Sequence, residues 1–158
     1  MKASAVGKKC AAVDRAYLAG LMDGDGAIMA IIEPHHEMKF HFRVRVEVKV
    51  TQKFEKDIKF LPKLLGCGLM RTNRTTHEWI VRDQQQVLRI LRMIRPHSRM
   101  KRRQIDRAIK ILRTPIRSRA DLLFAARSAD ALSRFNVRSN NRRKNHVTMI
   151  QAHFSSND

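Results

Sequence analysis

Two aspartates stand one glycine apart in the string Asp23-Gly24-Asp25-Gly26. Carboxylate oxygens are hard donors of the kind Mg²⁺ takes, and glycines on either side let a backbone or a ligand come close. Such a donor at a helix end suits phosphodiester hydrolysis, which needs a metal to stabilise charge on the phosphate and to activate water. The bland alternative is a glycine-rich turn that ends a helix. A calcium-binding EF-hand loop is excluded, because it needs a third oxygen ligand where Ala27 stands and a glycine where Ile28 stands. His35, His36 and His41 are the clustered histidines, but no cysteine or acid lies at zinc spacing around them.

The elements around the acids must place them. Ala16-Tyr17-Leu18-Ala19-Gly20-Leu21-Met22 reads as a helix leading into the aspartates, with Ala16, Gly20 and Gly24 four apart on one face. Small residues at that spacing let another helix approach closely. Residues 27–34 form an apolar, Ile-rich run ended by Pro34 and read as a strand. Residues 41–51 alternate: Phe42, Val44, Val46, Val48 and Val50 take one face, and His41, Arg43, Arg45, Glu47, Lys49 and Thr51 the other. Residues 54–65 read as a helix as far as Pro62, and short strands are expected over 69–73 and 78–82. Asp83 is an N-cap for a helix over 84–94, followed by a basic helix over 98–113 and an Ala-rich helix over 118–133. The stretch from Phe135 carries Arg138, Arg142 and Arg143 among Asn and Ser. A single domain over 1–158 is expected, with 1–11 and 140–158 flexible.

The chain has 33 Lys+Arg against 14 Asp+Glu, a net charge of +19 that points to a polyanion partner. No apolar run approaches the roughly 20 residues that span a bilayer, and residues 1–12 lack a signal-peptide core. An intracellular setting, in a prokaryotic cytoplasm or an organelle, is therefore expected. Cys10 and Cys67 are too few for a disulfide framework.

The helix ending in the two acids, followed by an alternating strand, resembles the LAGLIDADG homing endonucleases. The resemblance implies an α+β fold with an αββαββα core, a saddle-shaped antiparallel sheet on DNA and extra C-terminal helices. One motif per chain implies a homodimer, with Ala16, Ala19, Gly20 and Asp23 at the contact. It also implies sequence-specific double-strand cleavage of a long pseudo-palindromic site, staggered across the minor groove, that promotes intron or intein mobility. Asp25 would be the metal ligand with the Gly24 carbonyl, and Mg²⁺ the cofactor. Mn²⁺ is expected to substitute, and Ca²⁺ to support binding without cleavage. Val50-Thr51-Gln52-Lys53 matches the family's strand end, which makes Gln52 the water-positioning group. Lys56 takes the place of a basic pocket residue, and Lys101, after Pro96, that of the cation facing transition-state charge.

DNA readout would then fall to the outward strand faces: Met29, Ile31 and Glu33; Arg43, Arg45, Lys49 and Lys53; Arg71, Asn73, Glu78, Ile80 and Arg82. Trp79 is expected in the core. The first strand is unusually apolar for such a face, since Met and Ile offer no bidentate hydrogen bonds. Arg138, Arg142 and Arg143 would touch phosphates. Two other readings remain: an intron-encoded RNA maturase, with its own intron RNA as partner, and a catalytically inert basic nucleic-acid binder.

Overall fold

The structure, a computed structural model, describes residues 10–136 and 145–156. Helix α1 (Ala12–Asp25) runs without a loop into β1 (Gly26–Pro34), which returns as β2 (Phe42–Gln52). A single 3₁₀ turn (Glu55–Asp57) and the short α2 (Leu61–Leu65) lead to the hairpin β3 (Leu69–Asn73) and β4 (Thr76–Val81). Helices α3 (Gln84–Ile94), α4 (Arg102–Arg113), α5 (Arg119–Asn136) and α6 (His146–Ser155) follow. The strands form one antiparallel sheet in the order β1-β2-β4-β3.

Strand alternation decides which sheet face is covered. Val46, Val48 and Val50 pack with Ile28, Trp79 and Val81 beneath Leu18, Met22, Ile90, Leu91, Ile94 and Ile105 of the helices. A second cluster joins Ile32 and Phe42 to Leu122, Ala126, Ala129 and Ile150 at the other end of the sheet. Among the described residues the opposite face carries no helix, and it presents the odd-numbered side chains of β1, β2 and β3, with Glu78 and Ile80 of β4. Gly68 is required by this packing. It has a φ of +88°, and an added Cβ would lie 2.1 Å from Trp79 Nε1.

Several expectations are corrected. The helix expected from residue 54 as far as Pro62 is instead a 3₁₀ turn and a separate short helix that runs on to Leu65. Pro62 lies in the first turn of α2 rather than ending a helix, since the first helical N–H groups have no partner to lose. The helix expected from residue 98 starts at Arg102, and the N–H groups of 99–101 before it donate to the Asp23 carboxylate. The flexible C-terminal segment expected from residue 140 contains α6. Its first N–H groups, on His146 and Val147, donate to Asp130 of α5 at 2.7 and 3.1 Å, and Ile150 is fully buried. At the other end, Cys10, expected in a flexible stretch, is buried at 2% exposure. Arg138, Arg142 and Arg143 lie outside the described residues. No helix among the described residues is long and apolar enough to cross a membrane.

Candidate active site and nucleic-acid face

The last turn of α1 sends its two acids in opposite directions. Asp23 faces the protein and is 7% exposed. Its carboxylate accepts from Ser98 Oγ at 2.5 Å and from the backbone N–H groups of Arg99 (2.7 Å), Met100 (3.1 Å) and Lys101 (3.1 Å). Burial alone would raise its pKa, but these four donors hold it below the usual carboxylate range. Asp23 thus acts as an N-terminal anion for α4, supplied from another helix.

The same loop brings Lys101 to α1. Its Nζ donates to the Asp23 backbone carbonyl at 2.6 Å. Burial lowers the pKa of this ammonium, while the charges of Asp23 and Asp25 pull it up. Asp25 is exposed and accepts from Gln52 Nε2 at 2.6 Å. Asp25, Gln52 and Lys101, far apart in sequence, therefore converge at the foot of α1. Lys56 is not joined to them by any hydrogen bond. It stands over the exposed Phe54 ring at 5.6 Å, with Lys53 on the same ring at 5.4 Å.

Among the described residues, nothing covers the outer side of α1. Ala16, Gly20 and Gly24 are exposed, with Val13 and Tyr17 beside them. A Cβ built on Gly20 or Gly24 meets nothing within 4 Å, so nothing among the described residues demands glycine there. Gly26 differs, since its Cβ would lie 2.7 Å from Met22. Ala19 and Asp23, expected at a contact between copies, are corrected: helical rotation turns both into the chain's own interior.

The uncovered sheet face gathers the expected readout residues, but not as a free basic ribbon. Arg43 is hydrogen-bonded to Glu33, and Arg45 lies 3.6 Å from Glu33 and 3.5 Å from Glu47. Lys49 and Arg71 hold Glu78 at 2.8 and 2.6 Å, with Asn73 nearby, and Arg82 reaches Glu47 at 3.1 Å. Burial would raise the Glu78 pKa, yet the hydrogen bonds from Lys49, Arg71 and Asn73 bring it down to about 2. The Arg43 hydrogen bond likewise lowers that of Glu33. Glu78 and Ile80, expected to project outward, are 2% and 4% exposed beneath their neighbours. Met29 and Ile31 are half-buried and pair across the strands with Glu47 and Arg45. Sequence reasoning missed Ser98 and Glu47. Ser98 carries no local signal, whereas Glu47 is visible as the one acid among cations on the outward side of β2.

An α1 that ends in a buried and an exposed acid, feeding a four-stranded antiparallel sheet backed by helices, defines a known class. Residues 18–106, more than half of the chain, match the LAGLIDADG endonuclease family model, and the chain belongs to that family. It is 32% identical over 99 residues to the DNA endonuclease I-CreI of Chlamydomonas reinhardtii, covering 61% of this chain and 60% of that protein. It is 31% identical over 101 residues to I-CvuI of Chlorella vulgaris, covering 62% and 63%. The matched stretches thus span less than two thirds of either relative. The fold matches a crystal structure of I-CvuI on the I-CreI target with 2 mM Mg, where the DNA is not cleaved. That match has a TM-score of 0.79 and 25% identity, over 90% of this chain and 95% of that one. The fold also matches the archaeal intron-encoded I-Vdi141I complexed with DNA, with a TM-score of 0.75 at 14% identity, over 89% and 96% of the two chains.

Proposed function

We propose that this chain is a divalent-metal-dependent, sequence-specific DNA endonuclease that cuts both strands as a homodimer and promotes the mobility of an intron or intein. The observation that carries the reading is the convergence of Asp25, Gln52 and Lys101 at the end of an α1 whose outer face is open. The donor chemistry suits Mg²⁺: Asp25 is an exposed hard oxygen ligand, and the Gly24 carbonyl lies at the same helix end. Among the described residues, no three His, Cys, Asp or Glu side chains cluster tightly enough to hold a metal. One carboxylate per chain suits a site completed by Asp25 of a second copy, phosphate oxygens and water. A bound divalent ion would supply charge stabilisation at the phosphate and a more acidic water.

The chain's own groups have distinct tasks in this reading. Gln52, hydrogen-bonded to Asp25, orients the attacking water through its amide. Lys101 brings positive charge to the phosphate, and Asp23 with Ser98 fixes the loop that carries it. Ala16, Gly20 and Gly24 let the α1 helices of two copies approach, which brings two Asp25 carboxylates to the two strands. Lys53 and Lys56 flank this centre and meet DNA phosphates. The sheet face reads base edges through Arg43, Arg45, Lys49, Arg71, Asn73 and Arg82, with Met29 and Ile31 against thymine methyls. The relatives support a DNA enzyme that uses a divalent metal, because I-CvuI was crystallised on DNA with Mg and with Ca. The test is incubation of purified protein with a plasmid carrying its own gene's uninterrupted insertion site, in Mg²⁺, in Ca²⁺ and in chelator. Linear product in Mg²⁺ alone supports the reading. Binding without cutting in Mg²⁺ favours an inert binder.

A further inference from the structure

The uncovered sheet face holds three acids among its cations, and one of them stands at its centre. Glu47 lies on β2, opposite Met29 of β1 and one step beyond the last β2–β4 pair, Val48 with Val81. That register puts Arg82 beside it. At 3% exposure its carboxylate cannot reach a base edge. It accepts instead from Arg82 Nε at 3.1 Å and faces Arg45 Nε at 3.5 Å. Nε is the inner nitrogen of a guanidinium, so the outer amino groups of Arg82, which guanine O6 and N7 would engage, remain at the far end, while on Arg45 one outer nitrogen, Nη2, lies toward Glu33. Arg45 is held from a second side by Glu33 at 3.6 Å, and both arginine side chains stay solvent-accessible, at 27% and 47%.

We propose that Glu47 is a specificity-determining residue that acts through Arg45 and Arg82. It aims both guanidinium groups at base edges, guanine being the base they fit, and it cancels charge that would otherwise grip phosphates of any sequence. The proposal rests on the reading of the sheet as the DNA face. A cation with a buried anionic partner has a fixed direction, and direction separates base readout from phosphate attraction. An unpaired arginine on the same strand would add affinity for every duplex and steepen its salt dependence.

The experiment is a binding titration in Ca²⁺ over several salt concentrations, using a duplex of the insertion site and its single-base variants. Glu47→Gln is expected to bind variant duplexes more tightly than wild type, with a salt slope steeper by about one per subunit. Its preference at the positions facing Arg45 and Arg82 falls by about tenfold. Glu47→Asp keeps the charge but shortens the reach, so its salt slope stays at the wild-type value while discrimination at the same positions falls. It carries the test if Glu47→Gln fails to fold in a parallel thermal melt. Wild-type discrimination in both variants, or an equal loss of affinity for every duplex, overturns the proposal and leaves the endonuclease reading intact. A wild-type protein with no base preference across the panel overturns both.

Discussion

Asp23→Asn separates the two aspartates of the motif by function. Asp23 Oδ1 accepts from Ser98 Oγ and Lys101 N, and Oδ2 from Arg99 N and Met100 N. Asparagine keeps one acceptor oxygen and turns an amino group toward the other pair of donors. Two donors then lose their partner, at about 1–2 kcal/mol each in a loop that water can reach, or about 2–4 kcal/mol in total. A domain with roughly 5–15 kcal/mol of stability stays folded after that loss, so activity can still be measured. Urea denaturation at neutral pH reads the first effect. The deficit is also pH-dependent. The folded carboxyl titrates below its unfolded value of about 3.9, so its contribution is present above that pH and is lost as pH falls through the folded value. Wild type and variant should therefore differ fully near neutrality and converge in acid. Because the same loop carries Lys101, single-turnover cleavage should slow with little change in DNA affinity. A variant within about 0.5 kcal/mol of wild type at neutral pH would refute this account of the loop, since that is the scatter of an ordinary surface change.

Asp25→Asn should leave stability and DNA affinity near wild type and reduce cleavage below detection in Mg²⁺, as gel assays of binding and cutting will show. Gly20→Leu should cost the single chain no stability, because its Cβ meets nothing among the described residues and glycine costs a helix about 1 kcal/mol, so any fall in melting temperature should be confined to concentrations at which wild type is dimeric. Light scattering should find that variant monomeric. Gly68→Ala should lose more than about 2 kcal/mol in urea denaturation, since its Cβ would sit 2.1 Å from the indole of a buried Trp79.

Much of the fold was legible because it follows from periodicity. The valines of 42–50 define one sheet face, and Asp83 caps α3 by accepting from Gln86 N at 2.9 Å. The motif also placed its acids correctly at the end of α1. What stayed hidden depends on partners distant in sequence. Nothing local to 98–101 says that a carboxylate 75 residues upstream will hold it. Asn145 is a local N-cap for α6 through Thr148 N, but nothing near it says that Asp130 will hold the N–H groups of His146 and Val147. Alternation assigned Arg43, Arg45, Lys49, Arg71 and Arg82 to the open face, but their pairing with Glu33, Glu47 and Glu78 needs strand register. Helix phase likewise shows Ala16 and Gly20 outward while Ala19 turns in, a distinction that neighbouring small residues blur in one dimension.

In the proposed function each copy supplies one Asp25, and two copies make one double-strand cutter. A heterodimer of wild-type and Asp25→Asn subunits, purified through two different tags, tests it on a supercoiled plasmid bearing the insertion site. The wild-type homodimer should give linear DNA in Mg²⁺, the heterodimer predominantly nicked circles, and the double variant neither. Linear product from the heterodimer at the wild-type rate, or cutting by the double variant, would contradict it.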